Sequence, residues 1–467
     1  MVRRSRLVSA IAFSLLLIGV GCGGGGGSTA DGGAGTGGAA GTGGGAGTAG
    51  GAGTTGGAGT TGAAGTAGGA GSTGAAGTGA AGTTGAAGST GAAGTGVAVE
   101  VTRNVLALGE YHSCALAPTG AAHCWGQNLA SQLGNATAGN GSGAPVASAA
   151  TLTFAAIAAG KDQTCGLTAA GAAYCWGYGP ELGAGNVGTT ATPVAVMGGI
   201  TFKQITAGRS YTCGVAADGT GYCWGASAQG ELGNDTSPAF PARMPTKVAG
   251  TLTFKRIDGG NSDHACGVTT DGTAYCWGAN SSGMLGNNMT SVPVRMPVAV
   301  STTVKFVSAK PGDLFTCGLG TDAKIYCWGD NAAFQLGNGM GELADQLVPG
   351  PVAGTETYKD VAVGLNFACG LTTTGTVLCW GDTRNGQLGR GVSNVTPGAT
   401  DRSTPTAVMG GFTFVALAAG YNHACAITAQ GAAHCWGFNT RSEVGDGTNM
   451  VRSVPTAVTG GLTFATP

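Results

Sequence analysis

Charge is scarce in this sequence. Asp, Glu, Lys and Arg make up 9% of its 467 residues, and the formal net charge is −1. A nucleic-acid binder needs a basic face to displace phosphate counterions, so this composition argues against a nucleic-acid partner. Long apolar runs are scarce too. One stretch stands out, Leu7 to Val20, and it is too short for a comfortable membrane span. Between Gly23 and Gly96 aromatics and large aliphatics are missing altogether, and Asp31 is the sole charge. Such a segment cannot offset the entropy of ordering. The collagen period is also absent from its Gly, Ala, Thr and Ser repeats.

The ends of these segments carry information. Arg3, Arg4 and Arg6 precede the apolar run, and Gly21 and Cys22 follow it. A basic flank, a short apolar core and small residues at the cut make an export signal over residues 1–21. Ile18-Gly19-Val20-Gly21-Cys22 resembles a bacterial lipoprotein cleavage box, with Gly19 where a Leu is usual. The resemblance implies cleavage before Cys22 and lipid on its sulfur; the alternative is an ordinary secretory signal cut nearby. Residues 22–96 then form a tether, a flexible coil spanning roughly 45–50 Å. Loss of the signal leaves 18 basic against 22 acidic residues, a net charge of −4.

From residue 97 to 467 the sequence repeats. Each unit holds a Cys, nine residues, then Cys-Trp-Gly: Cys114 and Cys124, Cys165 and Cys175, Cys213 and Cys223, Cys266 and Cys276, Cys317 and Cys327, Cys369 and Cys379, Cys425 and Cys435. All seven tryptophans follow the second Cys, and the first cysteines advance by 51, 48, 53, 51, 52 and 56 residues. In the second unit, strands are expected over 152–159, 164–168, 172–177 and 193–197. Four short strands per fixed period, with no 3.6-residue apolar rhythm, indicate an all-β propeller of seven four-stranded blades. Residues 97–101 and 462–467 are left as alternative closing segments.

The middle hairpin can be registered from its chemistry. A three-residue loop ending in a left-handed Gly, as at Ala217-Asp218-Gly219, sets Cys213 opposite Cys223; a two-residue turn would not. The same register puts Gly214 opposite Tyr222, Gly267 opposite Tyr275 and Gly166 opposite Tyr174, where the tyrosine is expected to cover the glycine. The fifth unit has Ala323 in place of the turn Gly, so its turn is the weakest point of the register. Structural disulfides fit the export signal and the even count. Zinc and redox sites favour Cys-x-x-Cys, which this spacing is not.

Asp271-Gly272-Thr273-Ala274-Tyr275-Cys276-Trp277-Gly278-Ala279-Asn280, followed by Gly283-Met284-Leu285-Gly286 and preceded by Gly260 and His264-Ala265-Cys266, resembles the regulator of chromosome condensation repeat family. The resemblance runs through all seven units. It implies a seven-bladed propeller. That family's best-known member is a nuclear guanine-nucleotide exchange factor, and related secreted bacterial propellers inhibit proteins. An exported chain does not meet a nuclear GTPase, so exchange is not expected.

The histidines share their slots with packing residues. His112, His264 and His423 align with Gln163, Tyr211, Phe315 and Phe367; His123 and His434 align with tyrosines. No nucleophile elbow, His-Glu-x-x-His or phosphate loop occurs, and neither a cofactor nor a metal is expected. Because chain direction alternates within a blade, the first-to-second turns and third-to-fourth loops share one face. Glu110, Tyr111, Lys161, Asp162, Arg209, Asp263, Asp313 and Tyr421 lie there and form the candidate binding surface. The expected function is a binding or scaffold protein, tethered by its lipid to a bacterial membrane at the outer membrane or cell surface, with a protein or glycan partner. A secreted inhibitor is the alternative. A propeller enzyme acting on cell-surface polymer is a third reading, which acidic residues clustered at the axial mouth would favour.

Overall fold

The computed structural model of the chain describes residues 100–148, 151–236, 241–392 and 402–467. The export segment, Cys22 and the tether lie outside the described residues.

Seven antiparallel four-stranded sheets follow one another along the chain, each a simple meander in sequence order. The third blade is representative, with strands Phe202–Ala207, Tyr211–Ala216, Gly221–Gly225 and Ala242–Lys247. The second blade departs from the expected limits. Its first strand begins at Ala156, a short 3-10 turn at Gly179–Glu181 follows its third, and its fourth is Thr190–Ala195.

The middle-hairpin register holds in every blade. Cys213 pairs with Cys223 and Thr212 with Trp224, and equivalent pairs recur in the other six. The seven cysteine pairs are all disulfides, with Cα atoms 4.0–4.1 Å apart. The fifth blade keeps the three-residue turn despite lacking its Gly: Ala323 takes the left-handed conformation at φ 62°. Asp322 supports that turn by accepting from the Lys324 N–H at 3.1 Å and the Tyr326 hydroxyl at 2.7 Å.

The expected cover for the hairpin glycines is corrected. The ring over Gly214 is Phe202 from the first strand, not the cross-strand Tyr222; a Cβ there would lie 2.6 Å from the Phe202 ring. Phe254 and Phe306 play the same part over Gly267 and Gly318. The tyrosines stay half-buried, and Tyr222 and Tyr326 meet Phe202 and Phe306 edge-on, at interplanar 89° and 88°.

The core lies between blades. Each Trp is fully buried and packs with the blade before its own, so Trp224 sits with Leu182 and Leu167. Its indole N–H donates to a carbonyl in that preceding blade: Trp176 to Gln132, Trp224 to Glu181, Trp277 to Glu231, Trp328 to Met284, Trp380 to Gln335, Trp436 to Gln387 and Trp125 to Glu443, at 2.8–3.0 Å. The bond from Trp125 crosses from the first blade to the last, and so closes the ring.

The second closing device is the segment 462–467. The Phe464 N–H bonds the Gly431 carbonyl as Phe154 bonds Gly120, and the Ala465 N–H bonds Leu116 as Ala155 bonds Leu167. Phe464 is buried against Trp125, ring centroids 5.9 Å apart. The last residues thus begin the first strand of the first blade, and Leu106–Leu108 continues it.

Candidate functional site

At the axis, the turns between first and second strands converge and bond one another. Glu110 N–H donates to Gly160, Lys161 to Arg209, Asp313 to Leu365, Leu365 to Tyr421 and Tyr421 to Gly109, at 2.8–3.4 Å. Five of the seven blade junctions are bridged this way among the described residues. The two exceptions flank the fourth blade, whose turn through Asn261, Ser262 and Asp263 is one residue longer than its counterparts. There, side chains substitute. Thr206 accepts from the Gly259 N–H at 3.0 Å, and Asp258 from the Ala309 N–H at 3.3 Å.

This ring of turns brings the candidate residues into one neighbourhood. Glu110 is not a solvated tip. It is buried, and Arg209 from the third blade lies 3.8 Å from its carboxylate. Tyr111 and Tyr421, from the first and seventh blades, have ring centroids 6.3 Å apart. Burial first, and then the Glu110 carboxylate, push the Tyr111 phenol up to about 12. Tyr421 is raised by burial and by the charges of Glu110, Asp313 and Asp263, with Arg209 opposing. Asp313 is raised by burial, against Arg209. Asp162 is also raised by burial, against Lys161, which stands 3.9 Å away. The mouth is therefore an acidic cluster around one guanidinium, with two half-buried phenols at its edge.

Sequence reasoning missed one member. Arg441, in the third-to-fourth loop of the seventh blade, lies over the Tyr111 ring at 4.1 Å and donates to Gln127. A guanidinium on an aromatic face stacks as well as attracts. The available signal was the loop's position on the elaborated face. The nearby loop from Arg384 is described only as far as residue 392, and there Arg384 pairs with Asp382 at 2.8 Å.

The histidine slots are packing slots, with a polar refinement. His112 Nε2 bonds the Thr164 hydroxyl at 2.8 Å, His264 bonds Thr316 at 2.8 Å and His423 bonds Ser113 at 2.9 Å. Each hydroxyl donates onward to the carbonyl that also receives a Trp indole. The hydroxyl's one proton is thus committed, so the imidazole must be the donor, neutral and protonated on Nε2. Burial lowers all three to about 3. His434 packs on Phe412, centroids 4.3 Å apart, and burial lowers it too. Among the described residues, no group of three or more His, Cys, Asp or Glu is placed to hold a metal ion.

Comparison with known proteins agrees with the repeat chemistry. Models of the Regulator of chromosome condensation (RCC1) repeat match residues 106–132, 254–283, 358–387 and 414–443 in one form, and 271–321 and 374–427 in another. The Ultraviolet-B receptor UVR8 of Arabidopsis thaliana is 28% identical over 219 residues, covering 45% of this chain and 47% of that protein. The E3 ubiquitin-protein ligase HERC2 of Homo sapiens is 29% identical over 197 residues, covering 40% of this chain and 4% of that protein. The match thus spans less than half the length of either relative. Prp20p from Saccharomyces cerevisiae has the same fold at TM-score 0.63 and 19% identity, over 78% of this chain and 88% of that one. With its period, its Cys-Trp-Gly hairpins and its seven-bladed ring, the chain is a propeller of RCC1-like repeats.

Proposed function

We propose that this protein is an exported binding scaffold, tethered through Cys22 to a bacterial membrane at the outer membrane or cell surface, that captures a protein or glycan with the face carrying Tyr111, Arg209 and Tyr421. The cluster of Tyr111, Tyr421 and Arg441 beside the Glu110–Arg209 pair carries the reading. Tyr and Arg dominate interface hot spots, and here they stand on turns fixed by backbone bonds from blade to blade. Seven disulfides support an oxidising compartment. Protein binding also has precedent in the fold, since Prp20p was studied for its binding to Gsp1p and histones. Inhibition of a secreted enzyme is one form such capture could take.

The test begins with cross-linking on intact cells to identify the partner. Tyr111→Ala, Tyr421→Ala and Arg441→Ala are each expected to weaken binding by about 1–2 kcal/mol, with unchanged melting. Asp218→Ala, in a hairpin turn on the opposite face, should leave binding alone. Silence of all three, with loss from Asp218→Ala, would put the site on the wrong side.

One observation favours a second reading. Glu110, Asp162, Asp263 and Asp313 do gather at the axial mouth, as an enzyme acting on cell-surface polymer would require. Against it, Glu110 is buried and already paired with Arg209. Release of soluble fragments from purified envelope, abolished by Asp313→Asn, would establish the enzyme.

A further inference from the structure

The opposite mouth of the axial channel has the reverse charge. The channel encloses about 440 Å3, and its walls are the first strands of the blades. The chain enters across this mouth, where the Thr102 N–H donates to the Lys203 carbonyl at 2.8 Å. Gathered there are Arg103, Lys203, Lys255 and Lys359, from the first, third, fourth and sixth blades. Lys203 and Lys255 each directly follow the buried Phe of a first strand, and Lys359 the equivalent Tyr358, so the repeat itself sets them around the axis.

Deeper cations are already neutralised. Arg256 pairs with Asp258 at 2.5 Å, and Lys310 with Asp360 at 2.8 Å. Among the described residues, none of the four at the mouth has an ion pair or a side-chain hydrogen bond. Glu100 lies beside Arg103, Lys203 and Lys255, Asp360 next to Lys359 is taken by Lys310, and Pro467 reaches the channel wall. Four uncompensated cations held around one opening repel one another, and the fold gives them no partner. The outer turns of the same face are mixed in charge: Asp218, Asp271, Asp322 and Glu356 are exposed there, but Lys305 pairs with Asp271 at 2.8 Å and Lys324 bonds the Glu356 carbonyl at 2.7 Å.

We infer that this mouth is a binding site for a compact polyanion bearing two or more phosphate groups. One carboxylate would satisfy one cation and leave three. Lysine ammonium groups act as point charges toward phosphate, and the Arg103 guanidinium adds a planar fork that matches two phosphate oxygens. The site lies on the face away from Tyr111 and Tyr421, so it does not rest on the reading of that face.

The probe is inorganic tripolyphosphate, titrated calorimetrically into the full exported chain at low and moderate salt. Saturable binding that weakens with salt is expected. Lys203→Gln, Lys255→Gln and Lys359→Gln should each reduce affinity about tenfold. Lys→Arg at the same positions should largely restore it, and Lys247→Gln on the outer strand should have no effect. Vesicles containing phosphatidylglycerol form the second arm. Capture by vesicles, lost in the triple Gln variant, would support the phosphate site and make a lipid headgroup its source. Absence of binding to both probes, or equal binding by the triple variant with an intact melting transition, would overturn the proposal.

Discussion

Three carboxylates in the blade interfaces should make this propeller less stable as pH rises toward 8. Glu181, Glu231 and Glu443 occupy one slot of the repeat, and the backbone carbonyl of each accepts the indole N–H of the next blade's Trp. Their side chains are buried. Burial raises Glu181 from the usual 4.5 to about 8, helped by Asp162, and raises Glu231 and Glu443 to about 7. The folded chain therefore keeps these protons between pH 4.5 and 7–8, where the unfolded chain has released them. More protons bound in the folded state means that stability falls as pH rises. The stabilisation is complete below about pH 4.5 and is lost progressively up to about pH 8. At about 1.4 kcal/mol per pKa unit, each site costs on the order of 3 kcal/mol by pH 8, an upper bound if the interface relaxes or admits water.

The same chain supplies the control. Gln132, Gln335 and Gln387 fill the slot in other blades, and their amide oxygens accept from Ala130, Ala333 and Asn385 N–H at 2.7–2.9 Å. The carboxylates of Glu231 and Glu443 accept the matching bond at 2.9 Å. Glu→Gln therefore keeps the turn and removes only the titration. Denaturant unfolding of Glu181→Gln, Glu231→Gln and Glu443→Gln, singly and combined, from pH 5 to 8 should show variants gaining on the parent as pH rises. The gain should be at least about 1 kcal/mol per site at pH 8. Taking the difference from the parent removes the opposing effect of His112, His264 and His423. Those are lowered from 6.5 to about 3, so they lose stability as pH falls through that window. A parent-minus-variant difference that stays flat with pH would refute the argument.

Non-reducing mass spectrometry should find seven disulfides, each within a blade. Opening any one by Cys→Ala should cost about 2–3 kcal/mol, or less because the hairpin is already local; stoichiometric zinc or cross-blade links would contradict it. Phe464→Ala should destabilise the whole ring by about 3–5 kcal/mol, because it removes the aromatic that begins the first blade; a melting curve unchanged by this substitution would mean the ring closes elsewhere. Cys22→Ser should abolish fatty-acid labelling and release the protein or leave it unprocessed, and undiminished labelling would disprove the lipid anchor.

The spacing of Cys and Trp made the fold legible, because a hairpin has one register that sets cysteine against cysteine. It did not reveal what covers Gly214. Cross-strand partners can be counted along a hairpin, whereas Phe202 reaches the glycine from a neighbouring strand. Placing the candidate residues on one face needed only the alternation of chain direction. Their grouping, and the burial of Glu110, required knowing how far the turns lean toward the axis. Arg441 was hidden for the same reason, since its loop and Tyr111 are distant in sequence and meet only where the last blade closes on the first.

The histidines show what repetition could have disclosed without coordinates. Each slot residue faces the first residue of the next blade's Cys dipeptide, and the two vary together. His112 meets Thr164, His264 meets Thr316 and His423 meets Ser113. Where the slot holds Tyr211, Phe315 or Phe367, the next blade supplies Ala265, Ala368 or Ala424 instead. A donor ring requires a hydroxyl acceptor, whereas the larger aromatic needs room. Tyr211 sends its hydroxyl past Ala265 to the His264 carbonyl at 2.6 Å. Six of the seven interfaces follow this pairing; at the seventh, Gln163 donates instead to the Gly208 and Tyr211 carbonyls of the next blade. Because a His slot needs a hydroxyl and an aromatic slot needs an Ala, a blade of one kind cannot replace a blade of the other without regard to its successor. Blades with the same slot and successor remain interchangeable by this rule, as Phe315 with Ala368 and Phe367 with Ala424 show, so the pairing constrains the blade order without fixing it.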